Sequence, residues 1–118
     1  MSEINQPKVK RIITAARTEQ NTPDFEFKNP VDKNIELNGI SIIPDNSFRS
    51  RGRLRVSIND VPLDIINGDD LVNVSKIQLI EGNSIKELKR GQGIKFFMWN
   101  PTDDLSIAIT IGITLGKL

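Results

Sequence analysis

Apolar side chains recur at every second position near the carboxyl end of the chain, where they alternate with small or hydroxylated residues. The apolar positions are Leu105, Ile107, Ile109, Ile111, Ile113 and Leu115. A period of two places them on one face of a strand. Residues 94–99 alternate as well, and the Asn-Pro-Thr-Asp-Asp between the two runs is typical of a hairpin loop. The pattern predicts two antiparallel strands, and Phe97 and Trp99 indicate that the second face of the earlier strand is also partly covered.

The middle of the chain carries another hairpin pattern. Apolar residues alternate with polar ones up to Ile58, a turn is predicted at Asn59–Asp60, and Val61, Leu63 and Ile65 follow. Pro62 lies in the returning strand and cannot donate a backbone hydrogen bond, so we expect that strand to be short or at a sheet edge.

The alternation of apolar residues changes from odd to even positions between Leu37 and Ile40, which predicts a β-bulge at Asn38–Gly39. Further strands are predicted at 9–16, 24–27 and 73–80, separated by Asn-, Asp-, Gly- and Pro-rich turns. Residues 13–20 are the only candidate for a short helix, and we favour an extended conformation there. The sequence therefore predicts an all-β protein, an antiparallel β-sandwich of jelly-roll-like type with little or no helix. We expect residues 1–22 to form an N-terminal arm with the first strand, and residues 23–118 to form the sandwich domain.

Length and composition narrow the classes of function. A chain of 118 residues is one domain, and its net charge of +1 supplies no overall field for nucleic acid or an anionic membrane. No apolar segment is long enough to predict membrane insertion. The chain has no cysteine and no histidine, so it lacks the thiol nucleophile and the commonest general base. We therefore expect a protein that is not an enzyme and has no cofactor.

Acidic residues in the predicted turns are candidate calcium ligands: Asp45, Asp69, Asp70, Asp103 and Asp104. Calcium needs six to eight oxygens, and none of these stretches has the spacing of a dedicated calcium loop. Aspartate also favours turns because it bonds to its own backbone. We favour the turn role and predict no metal site. Adjacent Asp103 and Asp104 point to opposite sides of an extended chain, which makes them a poor catalytic pair.

Two groups of residues are candidate ligand or subunit contacts. The first is the tip formed by Trp99, Asn100, Asp103 and Asp104, where Trp99 either stacks on a sugar or, as we favour, packs under a loop or at a subunit contact. The second is Arg49, Arg51, Arg53 and Arg55, which share one face if the segment is extended. Such a row either binds phosphate or acidic groups of a neighbouring subunit or forms a solvated outer face.

Turn-forming and strand residues between about Ile35 and Ile113 follow a recognisable order. They are Gly39, Pro44, Asp45, Phe48, Ile58, Asn59, Asp60, Leu88, Gly91, Ile94, Trp99 and Asn100. This order resembles that of small β-sandwich domains in the structural proteins of tailed phages and related viruses.

The resemblance implies a bacteriophage or other viral structural protein located in the virion, as a capsid decoration, accessory or tail-associated protein. It carries over no catalytic residue. The implied partners are other virion or capsid proteins and the chain itself, as a homo-oligomer for which a trimer is our first expectation and a dimer the second. The N-terminal segment is suited to adding to a neighbour's sheet edge. The alternative is a carbohydrate-binding or adhesion module of β-sandwich type, with a glycan as partner.

Overall fold

The computed structural model describes residues 8–30, 32–80, 86–102 and 105–117. Within these residues lie nine strands: β1 (Lys8–Thr14), β2 (Phe25–Lys28), β3 (Ile35–Pro44), β4 (Arg53–Ile58), β5 (Val61–Asn67), β6 (Ile77–Ile80), β7 (Lys86–Leu88), β8 (Gly93–Trp99) and β9 (Ile107–Lys117). The helical content is one turn of α-helix, α1 (Asn46–Arg49), and one 3₁₀ turn at Gly68–Leu71. The predicted first strand is β1, which starts seven residues into the chain and ends at Thr14.

The strands form two antiparallel sheets. The first sheet has the order β1-β9-β3-β6, with β7 also paired to β3, and the second has the order β2-β8-β4-β5. Partners are nested around the β4–β5 turn, because β4 pairs with β5, β3 with β6, β2 with β8 and β1 with β9. A two-stranded ribbon wound over itself in this way is a jelly roll. The predicted all-β antiparallel sandwich is therefore confirmed.

Strand β9 supplies the centre of the first sheet. Its alternating residues Ile107, Ile109, Ile111, Ile113 and Leu115 are at most 1% exposed, and the strand pairs with β1 on one side and β3 on the other. Burial of these aliphatic side chains against the second sheet is the main stabilising contribution of the strand. The predicted buried face of this strand is confirmed from Ile107 onward. Leu105, the first residue of the predicted alternation, precedes the strand and is 61% exposed.

Two local irregularities lie where the sequence predicts them. The register of β3 against β9 shifts between Leu37 and Gly39, and this shift lets Ile40 continue the buried face begun by Leu37. The β4–β5 turn places Asn59 at φ 53° and Asp60 at φ 66°. Both angles lie in the left-handed region that hairpin turns of the primed type require and that Asn and Asp tolerate.

The helical turns lie where the sequence predicts turns, not at residues 13–20. Asp45 caps α1 by accepting a hydrogen bond from the Ser47 amide at 3.2 Å. Phe48, on the same turn, is completely buried and closes one end of the core. The prediction of very little helix holds because both helical turns are only four residues long.

Candidate functional site

The tip after β8 holds two of the predicted contact residues in different environments. Trp99 is half-buried on the outer face of the second sheet, opposite Arg53 of β4. Asn100 is fully buried: its amide donates to the carbonyl oxygen of Ala16 at 2.7 Å, and its side chain donates to that of Leu105 at 2.9 Å. Asn100 therefore holds the turn in place and is not accessible to a partner. The remaining two predicted contacts of the tip, Asp103 and Asp104, lie outside the described residues.

The four arginines do not form one row. Arg49 ends α1 and Arg51 lies in the following turn, whereas Arg53 and Arg55 project from β4 onto the outer face of the second sheet. Their separation follows from the helical turn, because the segment is extended only from Arg53 onward. The structure thus brings two of the four predicted residues together.

Both arginines of β4 have partners within the chain. The Arg55 guanidinium lies 4.0 Å from the centre of the Phe97 ring, and its Nε donates to Glu19 Oε2 at 2.7 Å. Arg53 lies 3.9 Å from Asp69 and donates to the carbonyl oxygen of Gly52 at 2.9 Å. Since these contacts use the guanidinium groups internally, Arg53 and Arg55 are not a free row for phosphate.

The connection between β1 and β2 covers part of the outer face of the second sheet. Glu19 reaches Arg55 from this segment, and Asp24 Oδ2 accepts a hydrogen bond from the Met98 amide at 2.6 Å. Phe97 is 5% exposed although it points away from the core. The outer face of β8 is therefore partly covered, as the sequence predicts, and the guanidinium group of Arg55 covers the Phe97 ring.

The turn aspartates serve local structure. The Ser47 hydroxyl donates to Asp45 at 2.9 Å, and this bond, helped by the Ser47 amide, holds the pKa of Asp45 below its usual value. Asp69 lies beside Arg53. Among the described residues, no three acidic side chains converge on a point where a metal ion would bind. The geometry matches the turn role that we favoured for Asp45.

A polar cleft of about 280 Å³ lies at the end of the second sheet and was missed by the sequence analysis. Its lining includes Glu26, Lys28, Asn59, Asp60, Gln92 and Lys95. Lys95 Nζ lies 2.7 Å from Asp60 Oδ1, and this hydrogen bond lowers the pKa of Asp60 and raises that of Lys95. The cleft joins residues of β2, the β4–β5 turn and β8, so only the tertiary pairing brings them together. Trp99 does not line it.

Exposed aliphatic side chains lie on two strands at the ends of the sheets. On β1, Val9 is 70% and Ile13 61% exposed, and on β5, Val61 is 65% and Ile65 57% exposed. Each of these strands ends its sheet, so one of its edges pairs with no other described strand. Ile43 of β3 is also exposed and faces outward in the first sheet. The structure thus has two separate strand edges with apolar side chains open to solvent.

The chain matches no protein-family model and no curated protein sequence. In the described part of the chain, no helix is long and apolar enough to cross a membrane. The candidate contact surfaces therefore rest on the geometry of this molecule alone.

Proposed function

We propose that the protein is a non-enzymatic structural component of a virus particle, a capsid decoration, accessory or tail-associated protein that acts through protein–protein contacts. The observation that carries this proposal is the exposure of aliphatic side chains on β1 and β5, two of the strands that end the sheets. An open edge presents unpaired N–H and C=O groups, and proteins that remain monomeric protect such edges.

The jelly-roll fold adds support of a general kind. This fold is common in viral capsid proteins, and it is also common in lectins and cupins, so the fold alone does not decide among them. The turn and strand residues that resemble phage structural proteins favour the first of these classes. Gly39, Asn59 and Asp60 are three of them, and all lie in turns or irregular positions of the sandwich. Self-association as a trimer, or second as a dimer, is part of this proposal.

A carbohydrate-binding or adhesion role is the alternative, and the polar cleft is the observation that favours it. Glu26, Asp60, Gln92 and Lys95 offer hydrogen-bond donors and acceptors at one place. No aromatic ring lines this cleft, whereas apolar stacking on a ring is the usual partner of such hydrogen bonds in a sugar site. The edges therefore support an assembly role better than the cleft supports a glycan role.

The proposal is tested by measuring whether the protein is part of purified virus particles. Particles from the virus that encodes the chain are separated on a density gradient, and the protein is quantified by mass spectrometry against the major capsid protein. We expect a constant ratio across the particle peak, and labelling of the particle surface or tail by a specific antibody. Absence from the particles would overturn the proposal, and glycan-array binding lost in Asp60→Ala would favour the alternative.

A further inference from the structure

The terminal strands β1 and β5, which carry the exposed aliphatic side chains, lie in segments of opposite charge. Residues 8–17, which contain β1, include four basic residues and no acidic one: Lys8, Lys10, Arg11 and Arg17. Residues 56–75, which contain β5, include four acidic residues and no basic one: Asp60, Asp64, Asp69 and Asp70. Although the net charge of the whole chain is only +1, these two segments therefore carry local charge of opposite sign.

Part of this charge forms no ion pair among the described residues. Arg11 lies 3.8 Å from Asp45, and Asp60 and Asp69 pair with basic residues of neighbouring strands. In contrast, Lys8, Lys10, Asp64 and Asp70 are exposed and form no ion pair with any other described residue. Within the described part of the chain, the β1 edge therefore offers two ammonium groups and the region of β5 two carboxylates without an ion pair, although Asp64 Oδ1 accepts a hydrogen bond from the Ile65 amide at 2.8 Å.

Apolar side chains accompany the free charge on both surfaces. We define the basic edge as β1 with the exposed Val9 and Ile13, and the acidic edge as β5 and the following 3₁₀ turn with the exposed Val61 and Ile65. Strand β1 ends the first sheet and β5 ends the second, so the two edges are distinct surfaces of one molecule. Each edge combines aliphatic side chains with charge of a single sign.

Contacts between two identical edges are unfavourable. A two-fold contact between basic edges would place Lys8 and Lys10 against the same residues of the second copy, and like charges facing each other destabilise a strand pair. A two-fold contact between acidic edges would place Asp64 near its equivalent in the same way. A contact between a basic and an acidic edge pairs opposite charges and still buries aliphatic side chains on both sides.

We propose that the basic edge of one copy of this chain binds the acidic edge of a second copy. This inference rests on the proposed assembly role and specifies how the copies meet. Such a contact is head-to-tail, so an associated pair keeps one free basic edge and one free acidic edge, which can bind further copies until a ring closes. It is compatible with the expected trimer, and it differs from a two-fold dimer in which each edge meets the equivalent edge of the second copy.

Side chains, more than a continuous backbone ladder, supply the contact. Pro62 has no amide N–H, and the register of β5 against β4 shifts between Val56 and Ser57. These features prevent a regular row of hydrogen bonds along the whole of β5. Burial of the aliphatic side chains and attraction between the lysines and aspartates remain, and the attraction weakens as salt shortens the screening length to a few ångströms.

Sedimentation velocity of the parent and three charge variants tests the proposal. The parent is expected to associate with increasing concentration to masses beyond a dimer, and less so at high salt. Lys8→Glu/Lys10→Glu and Asp64→Lys/Asp70→Lys are each expected to associate at least about tenfold more weakly, since attraction becomes repulsion. The variant with all four changes again has edges of opposite charge, and an equimolar mixture of the two double variants has complementary edges. Both are expected to regain association.

A matched control separates edge contacts from overall charge. Lys33→Glu/Lys89→Glu makes the same change in net charge at two exposed lysines outside both edges, and it is expected to associate like the parent. Circular dichroism checks that every variant keeps the β-rich spectrum of the parent.

Three results would overturn the inference. One is that the control variant dissociates as much as Lys8→Glu/Lys10→Glu. Another is that the variant with all four changes stays folded but does not regain association. The third is a parent that is monomeric at high concentration. A monomeric parent would also remove self-association from the proposed function. Incorporation into virus particles is measured separately on purified particles, so failure of the edge contact and failure of the virion role stay distinguishable.

Discussion

Truncation of Ile111 to alanine tests whether the centre of the first sheet stabilises the fold as the structure indicates. Ile111 is completely buried in β9, where it lies between Lys10 of β1 and Ile42 of β3. Ile→Ala removes three carbon atoms, which corresponds to about 2.4 kcal/mol of transfer free energy at about 0.8 kcal/mol per methylene. The cavity that remains adds to this cost, and large-to-small changes of this kind span about 2–5 kcal/mol. We expect a loss of about 3 kcal/mol in the free energy of unfolding.

Urea unfolding followed by circular dichroism measures this loss, and thermal unfolding checks it. For a domain of this size about 3 kcal/mol corresponds to a fall in Tm of roughly 12 °C. Thr110→Ala is the matched control, because Thr110 directly precedes Ile111 in β9, points outward and is half-buried. Its cost is expected to stay within about 0.5 kcal/mol. If Thr110→Ala costs as much as Ile111→Ala, the assignment of the two faces of β9 is wrong.

Three further predictions use the same unfolding measurements. A Cβ on Gly68 would lie 1.8 Å from the carbonyl oxygen of Phe48, so Gly68→Ala is expected to cost about 1–3 kcal/mol, and a silent change would contradict this close approach. Asn100→Ala removes the donor to the Leu105 carbonyl and is expected to cost about 1–3 kcal/mol, and an unchanged urea midpoint would show that the turn does not depend on this bond. The pKa of Asp45 is lower in the folded protein than in the unfolded chain. Its negative charge therefore stabilises the fold at pH values above the unfolded-state pKa, and this stabilisation is lost as the pH falls through the folded-state pKa. The stability difference between the parent and Asp45→Asn should therefore be largest near neutral pH and disappear in acid, and a difference independent of pH would refute the charge effect.

Local patterns in the sequence predict much of the strand content. The isoleucines of β9 repeat with period two, and this repeat can be read without knowing any partner strand. The bulge before Ile40 follows from the phase change around Asn38, and the β4–β5 turn follows from the tolerance of Asn59 and Asp60 for left-handed backbone angles. These features depend on neighbours along the chain, so composition and spacing are sufficient to predict them.

The candidate sites depend on contacts that the sequence does not specify. Four arginines two residues apart predict a common face, yet the short helix α1 separates Arg49 from Arg53. The burial of Phe97 depends on Arg55 from another strand and on Glu19 from a distant connection. Side chains that far apart in sequence meet only when the strands pair, so spacing along the chain cannot predict their environment.

The amino-acid sequence by itself determined that this chain forms short amphipathic strands joined by tight turns, because alternation and turn chemistry are local properties. The tertiary structure alone decided which strands end the sheets. Lys10 lies on an open edge only because β1 pairs with β9, about a hundred residues away along the chain, and with no other described strand. Asp64 is exposed for the corresponding reason, since β5 pairs only with β4 among the described strands. Pairing between distant strands is the sum of many weak contacts, and it converts a separation of charge along the sequence into two surfaces of opposite sign.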